Sequence, residues 1–206
     1  KATVADTIAD QSVQDPSPAQ PIDPPTITVT FGINDSPLAG RDGKKVQSRV
    51  IRDRLLKECE SNVAIKMVDT PGGEAFDVSG RGELQMGVLI ENMRREGFEL
   101  SISRPRVIYK DFEGVKNEPV EEVTIDVDEE FSGAVIEKLS ARKGEMVDLK
   151  SSGSGKTRIV SLVPSRGLIG YHSEFMTDTR GTGILNRVFH SWSPHKGSIP
   201  GRRQGV

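Results

Sequence analysis

The chain has 206 residues, of which 28% are charged and 34% hydrophobic, and its formal net charge is -2 at pH 7. This length can bury one or two hydrophobic cores, and the balanced charge excludes a wholesale nucleic-acid coat, so any RNA contact must come from local basic patches. The single cysteine excludes an internal disulfide, and no apolar stretch approaches membrane-spanning length, so we expect a soluble protein of a reducing compartment.

The first elements read as a tail, a strand, a loop and a helix. Residues 1 to 25 are dense in proline and poor in large apolar groups, which indicates a tail or linker. From residue 26 to 33 β-branched residues alternate with a period of two, as in a strand. Residues 38 to 45 are rich in glycine and charge and are expected to form an exposed, mobile loop with Arg41, Lys44 and Lys45 at its tip. Residues 46 to 60 place apolar side chains on one helical face and predict an amphipathic helix.

The alternation typical of a strand returns at residues 63 to 68 and 74 to 78, on either side of a turn at Pro71-Gly72-Gly73. A helix-period segment then runs up to Gly97, and residues 98 to 103 alternate once more. The order is β-α-β-β-α-β, which is typical of a ferredoxin-like arrangement of two helices on one face of an antiparallel sheet.

The glycine-rich turn Ser79-Gly80-Arg81-Gly82 allows two interpretations. It could cradle an anion at the start of the following helix, as phosphate sites do. We favour a tight strand-to-helix turn, because the third glycine of a dinucleotide fingerprint is missing and Glu83 already occupies the place that an anion would take.

The same order of elements recurs after residues 104 to 118, a connector too short to hold another domain. Strands, helices and a hairpin are predicted over residues 120 to 127, 131 to 143, 145 to 149, 157 to 163, 167 to 179 and 183 to 192. Gly144 is expected to cap the first of these helices. The sequence therefore predicts an α+β fold of two tandem ferredoxin-like domains, without detectable sequence repetition between them.

Ser154-Gly155-Lys156-Thr157 is similar to the end of a nucleotide-binding phosphate loop. Such a loop needs a glycine five positions before the Gly-Lys pair, where this chain has Lys150, and a helix after it, where this chain predicts a strand. A hairpin turn is favoured. We therefore expect the chain alone neither to bind nor to hydrolyse GTP, and we name no cofactor-binding residue.

Metal and catalytic sites are not predicted. The acidic run from Asp126 to Glu130 matches several ligand positions of a calcium loop, but Phe131 stands where the turn glycine is required. The histidines have no metal-ligand spacing among themselves: His172, His190 and His195. No serine, histidine and carboxylate set can be assembled from the sequence either.

Basic residues recur near the predicted helix ends and in the connector. A cation at a helix C-terminus is favoured by the helix dipole and needs no partner, so each one alone is as well explained by structure as by binding. Their recurrence in both halves favours contact with an RNA backbone. The candidates are Arg94, Arg95, Arg104, Arg106, Arg142, Lys143, Arg166, Arg180 and Arg187.

Several long stretches resemble the TypA/BipA family of translational GTPases. Three are similar to its third domain: residues 76 to 84, 90 to 100 and 103 to 109. Three more are similar to its counterpart of domain V of elongation factor G: residues 164 to 171, 173 to 177 and 181 to 183. The resemblance covers nearly the whole chain and implies ferredoxin-like domains, as in domains III and V of elongation factor G.

The resemblance also implies a division of the chain into four parts. Residues 1 to 25 would finish the β-barrel second domain with a linker, and residues 26 to 112 would be domain III. Residues 113 to 197 would be the domain V counterpart, and residues 198 to 206 would begin the C-terminal domain. The GTPase domain would lie outside this chain.

By this resemblance the chain is expected to be the ribosome-binding portion of a factor acting in stress adaptation and large-subunit assembly. GTP and Mg²⁺ would be needed by the whole protein, a GTP hydrolase, and not by this chain, which should be inactive alone. The expected partners are a bacterial-type ribosome, its rRNA and the GTPase domain in cis, with no membrane contact. A monomer in the cytoplasm, or in the stroma or matrix of an organelle, is expected.

Two alternatives remain open at this point. The first is a fragment of a LepA-like elongation factor, which also lacks the domain that elongation factor G inserts at the connector. The run Glu91-Asn-Met-Arg-Arg-Glu-Gly-Phe98 fits the TypA/BipA family better. The second is a free-standing module of two ferredoxin-like units that binds RNA or protein without any GTPase.

Overall fold

A computed structural model describes residues 6–10, 12, 13, 15, 22–153 and 155–199. The chain divides into two compact units, residues 1–106 and 107–206. Most of the tail expected at residues 1 to 25, and all but two residues of the segment 198 to 206, lie outside the described residues. No helix in the described part of the chain is long and apolar enough to cross a membrane.

The first unit has the predicted β-α-β-β-α-β order. Its elements are β1 (Ile27–Ile33), α1 (Ser48–Ser61), β2 (Lys66–Asp69), β3 (Ala75–Gly80), α2 (Glu83–Arg95) and β4 (Leu100–Ile102). The strands form an antiparallel sheet in the order β2-β3-β1-β4, and a short strand, β5 (Arg106–Val107), pairs with β1. The ferredoxin-like topology predicted for this half is confirmed.

The core of the first unit follows from the periodicities of its sequence. Alternate residues of the two central strands are buried: Val29, Phe31, Phe76 and Val78. Phe31 lies opposite Phe76 in the β1–β3 register. The helices add residues spaced three or four apart: Ile51, Leu55, Met86, Leu89 and Met93. Both helices therefore pack on one face of the sheet, and the other face carries polar side chains.

The second unit repeats the topology with longer strands. Its elements are β6 (Lys110–Phe112), β7 (Val115–Asp128), α3 (Glu129–Ala141), β8 (Glu145–Ser152), β9 (Lys156–Pro164), α4 (Ser165–Leu168), α5 (Tyr171–Asp178) and β10 (Ile184–Pro194). The antiparallel sheet has the order β10-β7-β9-β8, with β6 paired to β7. Its core is a single cluster in which Val123, Ile125, Ile159, Leu139 and Phe175 are buried.

The structure differs from the sequence prediction in the connector. Residues 104 to 118 are predicted only as a connector, and in the structure they contain β5, β6 and the start of β7. Glu113 and Gly114 both have positive φ angles, 53° and 80°, and this pair makes the tight turn between β6 and β7. No alternation over about six residues surrounds β5 or β6, as residues 98 to 103 surround β4, so these short strands give no recognisable signal.

Three further differences concern loops and helix ends. The helix predicted over residues 167 to 179 is two helices, because Gly170 adopts a left-handed conformation with φ 72°. The loop of residues 38 to 45 is exposed as predicted, but its backbone is hydrogen-bonded to Glu99 and is not a free loop. At the end of α3 the left-handed residue is Lys143, with φ 67°, and not Gly144.

Candidate nucleic-acid interface

The basic residues predicted to contact RNA fall into three groups according to their ion pairs. The first group is partly buried and paired with carboxylates: Arg142, Arg166 and Arg187. The second is exposed and paired with carboxylates: Arg94, Arg95 and Arg106. The third makes no ion pair within the described ranges: Arg104, Lys143 and Arg180. Sequence position alone does not distinguish the three groups.

Arg166, on the short helix α4, is held inside the second unit. Its guanidinium forms an ion pair with the fully buried Glu118 near the start of β7. The same guanidinium donates to the carbonyl oxygen of Gly197 at 2.6 Å, and the N–H of Lys196 donates to Glu118 at 2.8 Å. Arg166 therefore fastens the segment after β10 to the start of β7, and its cation is neutralised.

Arg142 and Arg187 also make internal contacts. Arg142 donates to the carbonyl oxygen of Gly167 at 2.8 Å and to the carboxylate of Glu174 at 2.5 Å. Its guanidinium lies 4.9 Å from the ring centroid of Tyr171. Arg187 on β10 lies 3.5 Å from the carboxylate of Glu121, which is 6% exposed. These cations join α3 to α4 and α5 and neutralise carboxylates on α5 and β7.

Arg94 and Arg95 converge on one carboxylate at the end of α2. Both donate to Glu91, with N···O distances of 2.8 Å. These hydrogen bonds, from Arg94 first and Arg95 second, lower the pKa of Glu91 to about 2. Two cations against one carboxylate leave a net positive charge on this helix end, and both side chains are more than 70% exposed.

Arg106 lies on the polar face of the first sheet. Its guanidinium donates to Asp77 at 3.1 Å and to the hydroxyl of Thr30 at 3.0 Å. Thr30 in turn donates to Asp77 at 2.6 Å, so the three side chains form a closed network across β1 and β3. Arg104, two residues earlier, makes no ion pair with any residue that the structure describes.

Lys143 and Arg180 occupy equivalent positions at the ends of two helices. Each is the first residue beyond the C-cap and has a left-handed backbone, with φ 67° for Lys143 and 50° for Arg180. After α3 the N–H of Gly144 donates to the Leu139 carbonyl at 2.8 Å, and after α5 the N–H of Gly181 donates to the Met176 carbonyl at 2.8 Å. This is the Schellman motif, in which glycine is the preferred left-handed residue. A cation is kept at both places in a conformation that costs about 1–2 kcal/mol for a non-glycine residue.

The surroundings of these two cations differ. The guanidinium of Arg180 lies 5.6 Å from the ring centroid of Phe131, a cation–π contact on the same unit. Lys143 has no ion pair or ring contact in the part of the chain that the structure describes. Lys143 and Arg104 are thus the candidates whose side chains the fold explains least.

Sequence reasoning missed a set of lysines that cover aromatic rings in the second unit. The ammonium of Lys116 lies 3.7 Å from the ring centroid of Tyr109, and that of Lys110 lies 4.1 Å from the ring centroid of Trp192. The sequence did not identify these lysines as a set because they fall in the segment that is predicted to be a connector. A second missed set lines a cleft beside the β8–β9 hairpin: Lys150, Lys156 and Arg158, together with Asp126.

The two glycine-containing motifs have structural roles. Lys156 opens β9 of a hairpin and lies opposite Asp128, so no helix N-terminus follows the Gly-Lys pair. At the other motif β3 ends at Gly80 and α2 begins at Glu83, so two residues make a tight strand-to-helix turn. The predicted hairpin and tight turn are confirmed. In the described ranges no group of three or more histidine, cysteine or acidic residues could hold a metal ion.

Comparisons with known proteins show that the chain is similar to elongation factor G in its second half and to proteins named as ribosomal subunit assembly factors over most of its length. The family model described as elongation factor G C-terminus matches residues 115–203. The protein named large ribosomal subunit assembly factor BipA from Bacillus subtilis (strain 168) is 52% identical over 204 residues, covering 98% of this chain and 33% of the relative. The protein of the same name from Haemophilus influenzae is 50% identical over 201 residues, with 98% and 33% coverage.

The chain thus spans about a third of the length of the curated relatives that it matches. A solved structure from Thermus thermophilus superposes with a TM-score of 0.53 at 13% identity, over 87% of this chain and 42% of that chain. At this identity the superposition speaks for the fold alone, and it agrees with the two α+β units described above.

Proposed function

The chain belongs to the BipA (TypA) family, and from this membership we propose that it forms the ribosome-binding portion of a translational GTPase acting in large-subunit assembly and stress adaptation. The observation that carries the proposal is the 52% identity to a large ribosomal subunit assembly factor, sustained over 98% of this chain. The family resemblance stated from the sequence is confirmed. The alternatives of a LepA-like factor and of a module without a GTPase have no support in these relatives.

The nucleotide chemistry belongs, in this proposal, to a domain outside the chain. GTP with Mg²⁺ would bind there, and the phosphoryl chemistry would take place there. The residues described here do not fit GTP, because the only Gly-Lys-Thr sequence lies in a β-hairpin in which Lys156 pairs with Ser152 of β8. The role of this chain would be to connect the nucleotide state of that domain with contacts to rRNA, by rigid-body movement of its units.

We propose that the rRNA contacts are made by exposed cations through the phosphate backbone. Arg94 and Arg95 carry a net positive charge on the end of α2, while Arg104, Lys143 and Arg180 have no carboxylate partner within the described ranges. Phosphate contacts of this kind give affinity that falls steeply with salt and depends little on base sequence. Arg106, Arg142, Arg166 and Arg187 would contribute less directly, because each already neutralises a carboxylate of its own unit.

The remaining parts of the proposal concern location and assembly. A ribosome-bound factor of this family would act in the cytoplasm, or in the stroma or matrix of an organelle, and without membrane contact. It would act as a monomer joined in cis to its GTPase domain. These statements rest on family membership.

Co-sedimentation with ribosomes tests the proposal. The chain should sediment with large subunits, and the longer protein that contains it should do so more strongly with a GTP analogue than with GDP. Binding of both should weaken as salt is raised. The proposal is wrong if neither the chain nor the longer protein sediments with ribosomes at low salt.

A further inference from the structure

The loop between β1 and α1 is built around a carboxylate from another part of the first unit. We call residues 34–45 the anchored loop. The carboxylate of Glu99, which lies just before β4, accepts hydrogen bonds from the backbone N–H groups of Gly40 at 3.0 Å, Asp42 at 3.1 Å and Gly43 at 3.0 Å. The side-chain amide of Asn34 donates to the same carboxylate at 2.5 Å. Converging backbone N–H groups of this kind form a concave anion site, here filled by the protein's own Glu99.

Close backbone packing holds the anchored loop in place as well. A Cβ on Gly43 would lie 2.8 Å from the carbonyl oxygen of Gly97 and 2.9 Å from the carbonyl carbon of Phe98, so only glycine fits. The N–H of Lys45 donates to the Gly97 carbonyl at 3.1 Å, and the ammonium of Lys45 lies 4.7 Å from the Phe98 ring centroid. The hydrogen bonds from Gly43 and the other donors lower the pKa of Glu99, so it remains a carboxylate at neutral pH.

The anchored loop carries exposed charges of both signs: Asp35 and Asp42 are acidic, and Arg41, Lys44 and Lys45 give the loop a net charge of +1. Arg41 and Lys44 are exposed, and neither makes an ion pair within the part of the chain that is described. The inner face of the loop is already satisfied by Glu99, so these two cations are not needed to hold the loop. The loop also borders the cleft that Arg94 lines, through Asp42. The loop contributes the carboxylate of Asp42 to this cleft, and Arg41 and Lys44 lie on either side of Asp42 in the chain.

We propose that the anchored loop is a second RNA-binding element, in which Arg41 and Lys44 contact phosphate groups of rRNA from a backbone that Glu99 holds ready. This rests on the proposed ribosome-binding function and adds to it a site that the recurrence of basic residues at helix ends does not include. Because the loop backbone is fixed before binding, little conformational entropy is lost when the loop contacts the RNA. The affinity is therefore higher without any new contact. Phosphate is the favoured partner because the exposed groups are cations rather than base-stacking rings.

The test uses the 206-residue chain with two probes, purified large ribosomal subunits and protein-free 23S rRNA. The double variant R41A/K44A should bind both probes about tenfold more weakly at low salt, and its salt slope should fall by about 1.4 to 1.8, since each phosphate contact contributes about 0.7 to 0.9. The matched control K57A/K66A removes the same charge from α1 and from β2, the strand at the sheet edge opposite β4. It should keep nearly wild-type affinity.

Glu99→Gln separates anchoring from overall charge. It removes a negative charge, so electrostatics alone would strengthen RNA binding, whereas loss of the anchor should weaken it. Thermal melts of each variant must show a folded chain.

Equal binding by R41A/K44A and the control overturns the inference while leaving the proposed function intact if the wild type binds. Weaker binding to subunits but unchanged binding to protein-free rRNA would also overturn it and indicate a ribosomal protein as the partner. Failure of the wild-type chain with both probes overturns the inference, and the proposed function falls with it only if the longer protein also fails to sediment with ribosomes.

Discussion

Arg166 donates from Nη2 to Oε1 of Glu118 at 3.1 Å, although the Glu118 side chain is completely buried. A buried carboxylate is tolerated only when it is paired and hydrogen-bonded, and here both conditions are met from two directions. The guanidinium comes from α4, and the second donor is the backbone N–H of Lys196 after β10. The pair therefore links three parts of the second unit that are far apart in sequence.

Removing the guanidinium should cost the second unit much of its stability. Arg166→Ala leaves Glu118 buried without its counter-charge, and breaking such a pair typically costs about 3–5 kcal/mol. Urea unfolding of the second unit measures the loss. Arg158→Ala is the control, because its pair with Asp126 is more than half exposed on the arginine side, and it should cost about 0 to 1 kcal/mol. Similar losses in the two variants would contradict this assignment.

The same pair predicts an acid-sensitive second unit. Burial raises the pKa of Glu118, but hydrogen bonds from Arg166 and the Lys196 N–H outweigh it and hold the pKa below its ordinary value of 4.5. Because the folded pKa is the lower one, the stabilisation is complete above about pH 4.5 and is lost as the pH falls through the folded pKa. Melting temperatures measured between about pH 6 and pH 3 should fall more steeply for wild type than for Glu118→Gln. Parallel curves would show that Glu118 does not titrate in this range.

Lys143→Gly should make the second unit more stable. Glycine adopts the left-handed conformation at no steric cost, so the variant should gain about 1 kcal/mol after allowance for glycine's greater freedom in the unfolded chain. If Lys143 contacts rRNA, the same variant should bind ribosomes more weakly, with a salt slope lower by about one. Gly97→Ala is the reverse control, because Gly97 is the left-handed residue after α2 with φ 86°, and it should destabilise. A destabilised Lys143→Gly would show that the lysine side chain makes a structural contact.

Gly43→Ala should loosen the anchored loop. The new methyl group would lie within 3 Å of the Gly97 and Phe98 backbone, and overpacking of this kind costs about 1–3 kcal/mol. Gly87→Ala is the matched control within the same unit, since nothing lies within 4 Å of a Cβ at this position of α2. It should stabilise by about 0.5–1 kcal/mol, because alanine is the better helix former. Thermal melts of both variants decide whether close packing at residue 43 is as tight as described.

Fragments should fold separately when the chain is cut between its units. Residues 26–106 and 107–197, expressed alone, should each show a cooperative melt, because each contains its own core and all strands of its sheet except β5, which the cut divides. A cut between residues 112 and 113 removes β6 from β7 and should lower the melting temperature of the second piece. Equal melting temperatures for the pieces starting at residues 107 and 113 would show that β6 contributes nothing.

The main elements could be predicted because their periodicities are strong over six or more residues. β1 buries alternate residues and α2 buries residues spaced three and four apart, so local sequence determines which face is inside. β5 and β6 could not be found because, unlike β4, their two or three residues are not flanked by a longer alternating run. Helix propensity likewise did not predict that Gly170 separates α4 from α5.

The candidate site was predictable only as a set of residue types. Arg166 and Glu118 are 48 residues apart, and they meet because α4 follows β9, which is paired with β7. Partners that lie on different elements depend on sheet register, which residue types alone do not reveal. For the same reason the sequence did not predict the role of Glu99. This residue follows Gly43 by 56 positions in the chain, and its carboxylate accepts hydrogen bonds from backbone groups of the anchored loop.

The pairing of β10 with β7 has a mechanical consequence. Asn117 lies opposite Pro194, so the start of β7 and the end of β10 lie side by side. A pulling force applied between residues 107 and 197 would load the hydrogen bonds of this strand pair one after another, as in opening a zipper, rather than all together in shear. The contacts among Glu118, Arg166 and Lys196 lie at the end of the strand pair where the force is applied, so they would be the first to break. Single-molecule stretching should therefore show a low unfolding force that Arg166→Ala lowers further.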